Sequence, residues 1–196
     1  MFEHCLGEKT CMNMNKSMKQ ETDILIDQLR QRNPAACQKL LADYGTAVFQ
    51  MVRRIVTVQE DAEEVYQDVF VKALQAIGNF DSRRATLATW LNRIAYHEAL
   101  NFLRSRKLSV VYMEEQNDDL DDAPDDEMPD ELTIQRLEMA LTELPPHERT
   151  IITMFYYDNM SLADIAYVTD SIPSTIGSQL CRIRKKLYRI IKNMKP

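Results

Sequence analysis

Arg93, His97, Asn101 and Arg104 follow one another at intervals of four, four and three residues. On a helix that spacing gathers them on one face as a polar, partly cationic stripe. Trp90, Tyr96 and Phe102 interleave with the stripe, Arg83 and Arg84 precede it, and Arg106 and Lys107 close it. Cations track a phosphate backbone and aromatic rings stack on unpaired bases, so the chemistry this stretch suits is non-covalent capture of single-stranded DNA. Leu87, Leu91, Ile94, Ala95 and Phe102 recur at helical spacing on the inward side. The competing reading is a solvated amphipathic helix with Trp90 in the core.

Two further sets of side chains invite a function. Near the C-terminus Thr175, Ser178, Gln179 and Arg182 share the outer face of a helix that opens around Pro173 and Ser174. They lie in its N-terminal half, the part that reaches base edges when a helix enters the major groove, while Arg184, Lys185 and Lys186 further along suit phosphates. Ser161 to Asp164 reads as a capping box that opens a short preceding helix, and Thr169-Asp-Ser171 reads as the turn between them. Two helices joined in this way, the second longer and basic, predict a helix-turn-helix. The third set is acidic. Asp61, Glu64 and Asp68, joined by Gln67, load the outer side of a helix predicted over Glu60–Ile77, whose inner stripe is Ala62, Val65, Val69, Ala73 and Ile77. Such a face repels DNA and attracts a basic protein; the plainer alternative is solvated charge.

These sets need elements to hold them, and the pattern throughout is helical. Of 196 residues only 4 are Gly, while 45% are hydrophobic and 28% charged, which suits a helix-rich globular chain. Ile24, Leu25 and Leu29 mark a short first helix. Asn33-Pro34 restarts the chain, with Asn as cap and Pro at a position where its missing N–H costs nothing. Cys37, Leu40, Leu41, Tyr44, Val48, Met51, Val52 and Ile55 then follow one face. Ile134, Leu137, Leu141 and Leu144 begin a second helical block, Ile151, Ile152 and Phe155 continue it from about His147, and Ile176, Leu180, Ile183, Leu187 and Ile190 form the inner stripe of the last helix. The expected fold is therefore all-α: a tail over 1–20, an N-terminal helical domain over 21–108, a linker over 109–132 and a helix-turn-helix domain over 133–196.

The linker is expected to be too charged to collapse, since Glu114–Glu131 holds 11 acidic residues and no Lys or Arg. Taking its −11 out of the net −6 leaves +5 for the remainder. An acidic chain can thus still bind DNA, and a linker folded back on the two basic blocks is expected to lower DNA affinity in the free protein. Met1–Ser17 is expected to be disordered, with Met18 an alternative start. No apolar run approaches the ~20 residues that span a bilayer, and the start lacks the apolar core of a secretory signal, so a cytoplasmic location is expected. Cys5, Cys11, Cys37 and Cys181 form no CxxC pair, so neither a metal nor another cofactor is expected. A nucleophile–base pair and a Gly-rich phosphate loop are likewise missing from the sequence pattern, which points away from an enzyme.

Taken together, DAEEVYQDVFVKAL (Asp61–Leu74), Phe80-Asp81, TWLNRIAYHEALNFLR (Thr89–Arg104), LPPHERTIITMFYYDNMSLADIA (Leu144–Ala166) and IGSQLCRIRKKL (Ile176–Leu187) resemble a bacterial RNA polymerase sigma factor of the extracytoplasmic-function group. The likeness covers about Ala35–Lys192. It implies a specificity subunit for core RNA polymerase that recognises promoter DNA, both duplex and single-stranded, and it leaves room for an anti-sigma factor. By this likeness Asp61–Leu74 docks on the polymerase clamp, with Gln67, Asp68 and Phe70 matching the family's core motif. Phe80–Lys107 reads and melts the minus-ten element, the loop Asp81–Thr86 holding a flipped base, and the last helix reads the minus-thirty-five element. The linker resembles the segment that runs through the active-site and RNA-exit channel of the polymerase.

The chain departs from the family pattern at Asp170, where Gly is common in the turn, at Gly177, where Lys is common, and at Gln179, where Arg is common. Opening about ten base pairs costs roughly 14 kcal/mol at ~1.4 per step. Capturing two or three bases by stacking returns only about 2–9 kcal/mol, so melting must draw on polymerase contacts. The alternative reading is a stand-alone helix-turn-helix regulator that binds duplex operators unaided, and a third is a protein-interaction module. Co-purification with core polymerase separates them.

Overall fold

The computed structural model describes residues 20–107 and 131–194, and all regular structure among them is helical. The expectations for Met1–Ser17, for Cys5 and Cys11, and for the acidic segment as far as residue 130 lie outside the described residues. Helix α1 covers residues 20–30. It is followed by α2 (Pro34–Ile55), α3 (Gln59–Ala76), a 3-10 turn (Ile77–Asn79), α4 (Leu87–Lys107), α5 (Glu131–Glu143), α6 (Pro146–Tyr156), α7 (Leu162–Thr169) and α8 (Pro173–Asn193). Helix α5 begins inside the span assigned to the linker.

Local chemistry explains where these helices start. Asn33 accepts a hydrogen bond from Ala35 N at 2.9 Å, which satisfies one of the orphan donors of α2. Thr86 does the same for α4, its Oγ1 accepting from Thr89 N at 3.1 Å. The capping box is present at α7: Asp164 N donates to Ser161 Oγ at 3.1 Å, and Ser161 Oγ donates to Asp164 Oδ2 at 2.6 Å. Asp170 ends α7 in the left-handed region, at φ 55° and ψ 41°. This is the conformation a helix C-cap needs and one that Asp tolerates better than most side chains.

In the N-terminal block α4 packs on both α2 and α3, and in the C-terminal block α8 packs on α5, α6 and α7. Gly45 lets α2 approach α3 closely: a Cβ there would lie 2.7 Å from the Tyr66 hydroxyl, so the Tyr66 side chain would have to shift. Two inward stripes differ from the expected ones. On α1 the buried residues are Leu25, Ile26 and Leu29, and Ile24 is exposed; on α2 Leu41 faces solvent. Each lies one residue from a buried neighbour, a step of about 100° around the helix, and so falls off the buried face. The blocks also touch one another: α4 packs against α7, and α2 against α6.

Candidate polymerase and nucleic-acid interfaces

The acidic face of α3 is partly as expected. Glu64, Gln67 and Asp68 are exposed, and among the described residues neither carboxylate pairs with a cation. Asp61 differs: it is buried and forms an ion pair with Arg106 of α4. Phe70 is buried too, its ring edge-on to Tyr66 at 5.1 Å. It therefore backs the face and does not project from it. The apolar side chain that does project is Val71, 53% exposed, which lies three residues beyond Asp68 and shares its side of the helix. Spacing alone could have picked it out. Lys72 closes one border through an ion pair with Glu98 of α4.

On α4 the aromatics and the polar stripe part company. Trp90 and Tyr96 are buried; Trp90 lies edge-on to Phe80 at 5.4 Å, and burial pushes the Tyr96 phenol up. Neither offers a ring to a base in this state, which corrects the expectation of stacking platforms. The cause is that α4 is flanked by α2, α3 and α7, so that little of its circumference is free. Phe102 is half-buried beneath the Arg106 guanidinium, 4.9 Å from the ring centre.

Of the polar stripe, Asn101 and Arg104 face solvent, whereas Arg93 and His97 face the C-terminal block. Arg93 forms an ion pair with Asp170 at 2.6 Å, donates to the Tyr167 carbonyl at 3.0 Å and lies over the Tyr167 ring at 5.0 Å. His97 Nε2 is 3.0 Å from the second Asp170 oxygen but off the line of a hydrogen bond, so Arg93 is the principal partner. Thr89 Oγ1 donates to Asp164 Oδ1 at 3.4 Å. A second contact joins α2 to α6 and the turn after it. Arg54 clamps Asp158, with NH2 to Oδ1 at 2.7 Å, and Arg149 donates to the Arg54 carbonyl at 2.8 and 3.2 Å. Arg149 thus caps the C-terminal end of α2, where an orphan carbonyl meets a cation.

The loop before α4 is ordered by one carboxylate. Asp81 accepts from Arg83 N at 3.0 Å and from Arg83 Nε at 2.9 Å, and the Arg83 guanidinium holds its carboxyl down at about 2. Arg83 is therefore occupied locally, while Arg84 is exposed.

Helix α8 is the more open surface. Ile176, Leu180, Ile183 and Leu187 are buried, and Ile190 is partly so. Ser174, Ser178, Arg182 and Arg184 are exposed, and Thr175 and Gln179 are half-buried. Lys186 pairs with Glu148 of α6 at 3.1 Å. A cleft of about 870 Å³ runs along the basic side of the helix, lined by His147, Glu148, Gln179, Arg182, Lys185 and Arg189 among others. Among the described residues no cluster of His, Cys, Asp and Glu has the makings of a metal site, and no helix is long and apolar enough to cross a membrane.

This architecture has counterparts among known proteins. Residues 40–108 match the family Sigma-70 region 2, and residues 134–187 match Sigma-70, region 4. The RNA polymerase sigma-H factor of Pseudomonas aeruginosa is 28% identical over 179 residues, covering 86% of this chain and 92% of its own. Among solved structures, CnrH in complex with the cytosolic domain of CnrY superposes with a TM-score of 0.63 at 24% identity, over 89% of this chain and 99% of that one. The sigma factor RpoE, in complex with the anti-sigma factor NepR from Bartonella quintana, gives 0.54 at 22% identity, over 92% and 99%.

Proposed function

The chain belongs to the extracytoplasmic-function group of sigma-70 factors, which initiate transcription with RNA polymerase, and we propose that it divides promoter recognition among three faces. The first docks core polymerase and consists of Glu64, Gln67 and Asp68 around the exposed Val71, with Phe70 behind them. Asp61 serves the packing of α3 on α4 through Arg106 and takes no direct part. The second face takes the displaced strand of the minus-ten element and consists of Arg83, Arg84, Arg93, His97, Asn101 and Arg104. The third reads duplex DNA at the minus-thirty-five element. On it Ser174, Thr175, Ser178, Gln179 and Arg182 approach base edges, and Lys185 and Lys186 approach phosphates.

The observation that carries this reading is the segregation of charge. Carboxylates on α3 that pair with no cation among the described residues stand on an outer face, and the cations assigned to DNA lie on α4, the loop before it and α8. Acid and base kept on separate surfaces fit a protein that must hold a polymerase and a promoter at once. Reversing the charge of Asp68 tests it. Asp68→Arg is expected to weaken association with core polymerase by about 2–5 kcal/mol and to leave thermal unfolding unchanged, because the side chain is exposed. Undiminished co-purification would overturn the assignment of α3.

A further inference from the structure

We infer that Arg30, at the end of α1, is a positioning residue for strand capture: it holds the Phe80 carbonyl and so fixes how the loop 81–86 stands before α4. The inference rests on the assignment of the displaced strand to α4 and that loop. It adds a residue from a helix that lies outside the three recognition faces.

The loop is held by different means along its length. At its far end Thr86 caps α4 through Thr89 N. In the middle the holds are local: Asp81 accepts from Arg83 N and Nε, and Arg84 N donates to the Asp81 carbonyl at 3.0 Å. Bonds between residues two or three apart give the loop its own shape but not its orientation on the bundle. At the near end the Phe80 ring is buried edge-on to Trp90, and Phe80 N donates to the Ile77 carbonyl at 3.2 Å. These contacts fix Phe80 on its N-terminal side. The peptide plane between Phe80 and Asp81 is where the loop begins, and its carbonyl accepts from Arg30 Nη2 at 3.3 Å, a contact that spans 50 positions. Turning that plane would swing Asp81, and Arg83 and Arg84 would follow, because Asp81 holds both.

Arginine suits this task because its guanidinium is a planar fork of donors. One arm, Nη1, donates to Asp27 Oδ1 at 3.2 Å, one turn back on α1. That pair is exposed and adds little to stability, but it aims the other arm at the carbonyl. A cation donating to a carbonyl makes a stronger hydrogen bond than a neutral donor does. Helix α1 is itself placed by Leu25, Ile26 and Leu29, all buried, so the platform stands without Arg30. Because Arg83 is spent on Asp81, the exposed Arg84 is the cation the loop can offer a strand. A binding group works only where its support keeps it within about 0.5 Å of the productive geometry. The tie from α1 supplies that support.

The test uses the full chain with Arg30→Ala, Arg30→Lys and Arg84→Ala, and two measurements. The first is NMR relaxation of the backbone amides in the free protein. Order parameters of residues 81–84 are expected to fall in Arg30→Ala toward the flexible range below ~0.6, with thermal unfolding nearly unchanged. The second uses holoenzyme reconstituted with core polymerase and a pool of short single strands of randomised sequence, selected and then sequenced. Arg30→Ala is expected to lose about tenfold in enrichment of the preferred base at one position. Arg30→Lys keeps the charge without the fork and is expected to recover part of that loss. Unchanged order parameters in Arg30→Ala would overturn the positioning role. So would an equal loss for every sequence, with the salt slope reduced by about 0.7 and full recovery by Lys, since Arg30 would then be a phosphate contact. Enrichment by Arg84→Ala equal to that of wild type would overturn the part given to Arg84. If wild-type holoenzyme enriches no strand, the assignment of the strand to α4 and its loop falls, and strand capture falls with it; the relaxation data still decide whether Arg30 holds the loop.

Discussion

Helices α4 and α8 are each 21 residues long, and each carries cations assigned to DNA, yet they are held in opposite ways. Helix α8 commits one stripe to its block, Ile176, Leu180, Ile183 and Leu187, and leaves the side with Ser178, Arg182 and Arg189 to solvent. Helix α4 lies among α2, α3 and α7; it gives Trp90 and Tyr96 to the core and Arg93 to an acidic neighbour. A pattern of charge therefore does not by itself measure availability. The helix proposed to read duplex DNA is exposed along its polar side, and the helix proposed to take the displaced strand is largely covered. That order is sensible for a protein whose target strand does not exist until the duplex opens.

The largest effect that can break the comparison concerns Trp90. Its indole is 8% exposed and packed on Phe80. Trp90→Ala is expected to lower global stability by about 3–5 kcal/mol, the usual result of removing a large buried ring, as read by urea unfolding. A base-stacking ring would behave otherwise, with stability changed by no more than about 0.5 kcal/mol, as at surface positions, and strand affinity falling instead. That outcome would put α4 on the same footing as α8.

On α8 the expected effects are smaller and fall on binding. Arg182 is exposed with no ion pair among the described residues, so Arg182→Ala is expected to cost about 1–3 kcal/mol of duplex affinity and to relax preference at one promoter position. Lys186 is shared with Glu148 at 3.1 Å. Lys186→Ala is expected to weaken all sequences alike and to flatten the salt dependence by about one unit. Anisotropy titrations over a range of salt separate the two. If Arg182→Ala weakened every sequence equally, this side chain would be a phosphate contact and the base-reading part of α8 would lie elsewhere.

What was legible in the sequence was local. The Asn33 cap, the Ser161–Asp164 box, the left-handed Asp170 and the buried stripe of α8 each depend on residues within a few positions of one another, and each is present. What was not legible joins distant residues. Arg54 and Asp158 stand 104 positions apart, and nothing in either neighbourhood announces the other. The same holds for Arg93 with Asp170, so the turn aspartate read only as a turn residue. The expected self-inhibition by the acidic linker falls outside the described residues; among those described, the acidic contact on the cationic stripe of α4 comes from Asp170 of the helix-turn-helix. Trp90 and Tyr96 read as binding-face residues because a helix buried on several sides has no single inward stripe for periodicity to find, and Phe70 because the family motif includes it without saying which way its ring points.

The smallest effect sharpens the comparison from the thermodynamic side. Gly177 sits inside α8, and a Cβ built on it meets nothing within 4 Å. Its backbone φ is not positive, so the helix makes no use of the freedom glycine has. Gly177→Ala is therefore expected to stabilise the chain by about 1 kcal/mol through helix propensity alone. How that gain appears on heating depends on whether the contact between the blocks couples them. If both melt as one unit of this chain's size, Tm rises by about 2–4 °C; if the C-terminal block melts alone, the same energy raises its own transition by about 4–8 °C. The contacts of α4 with α7 and of α2 with α6 predict the single, smaller shift. Two calorimetric transitions, with only the C-terminal one displaced, would mean that the covered and the open helix belong to blocks that are thermodynamically independent.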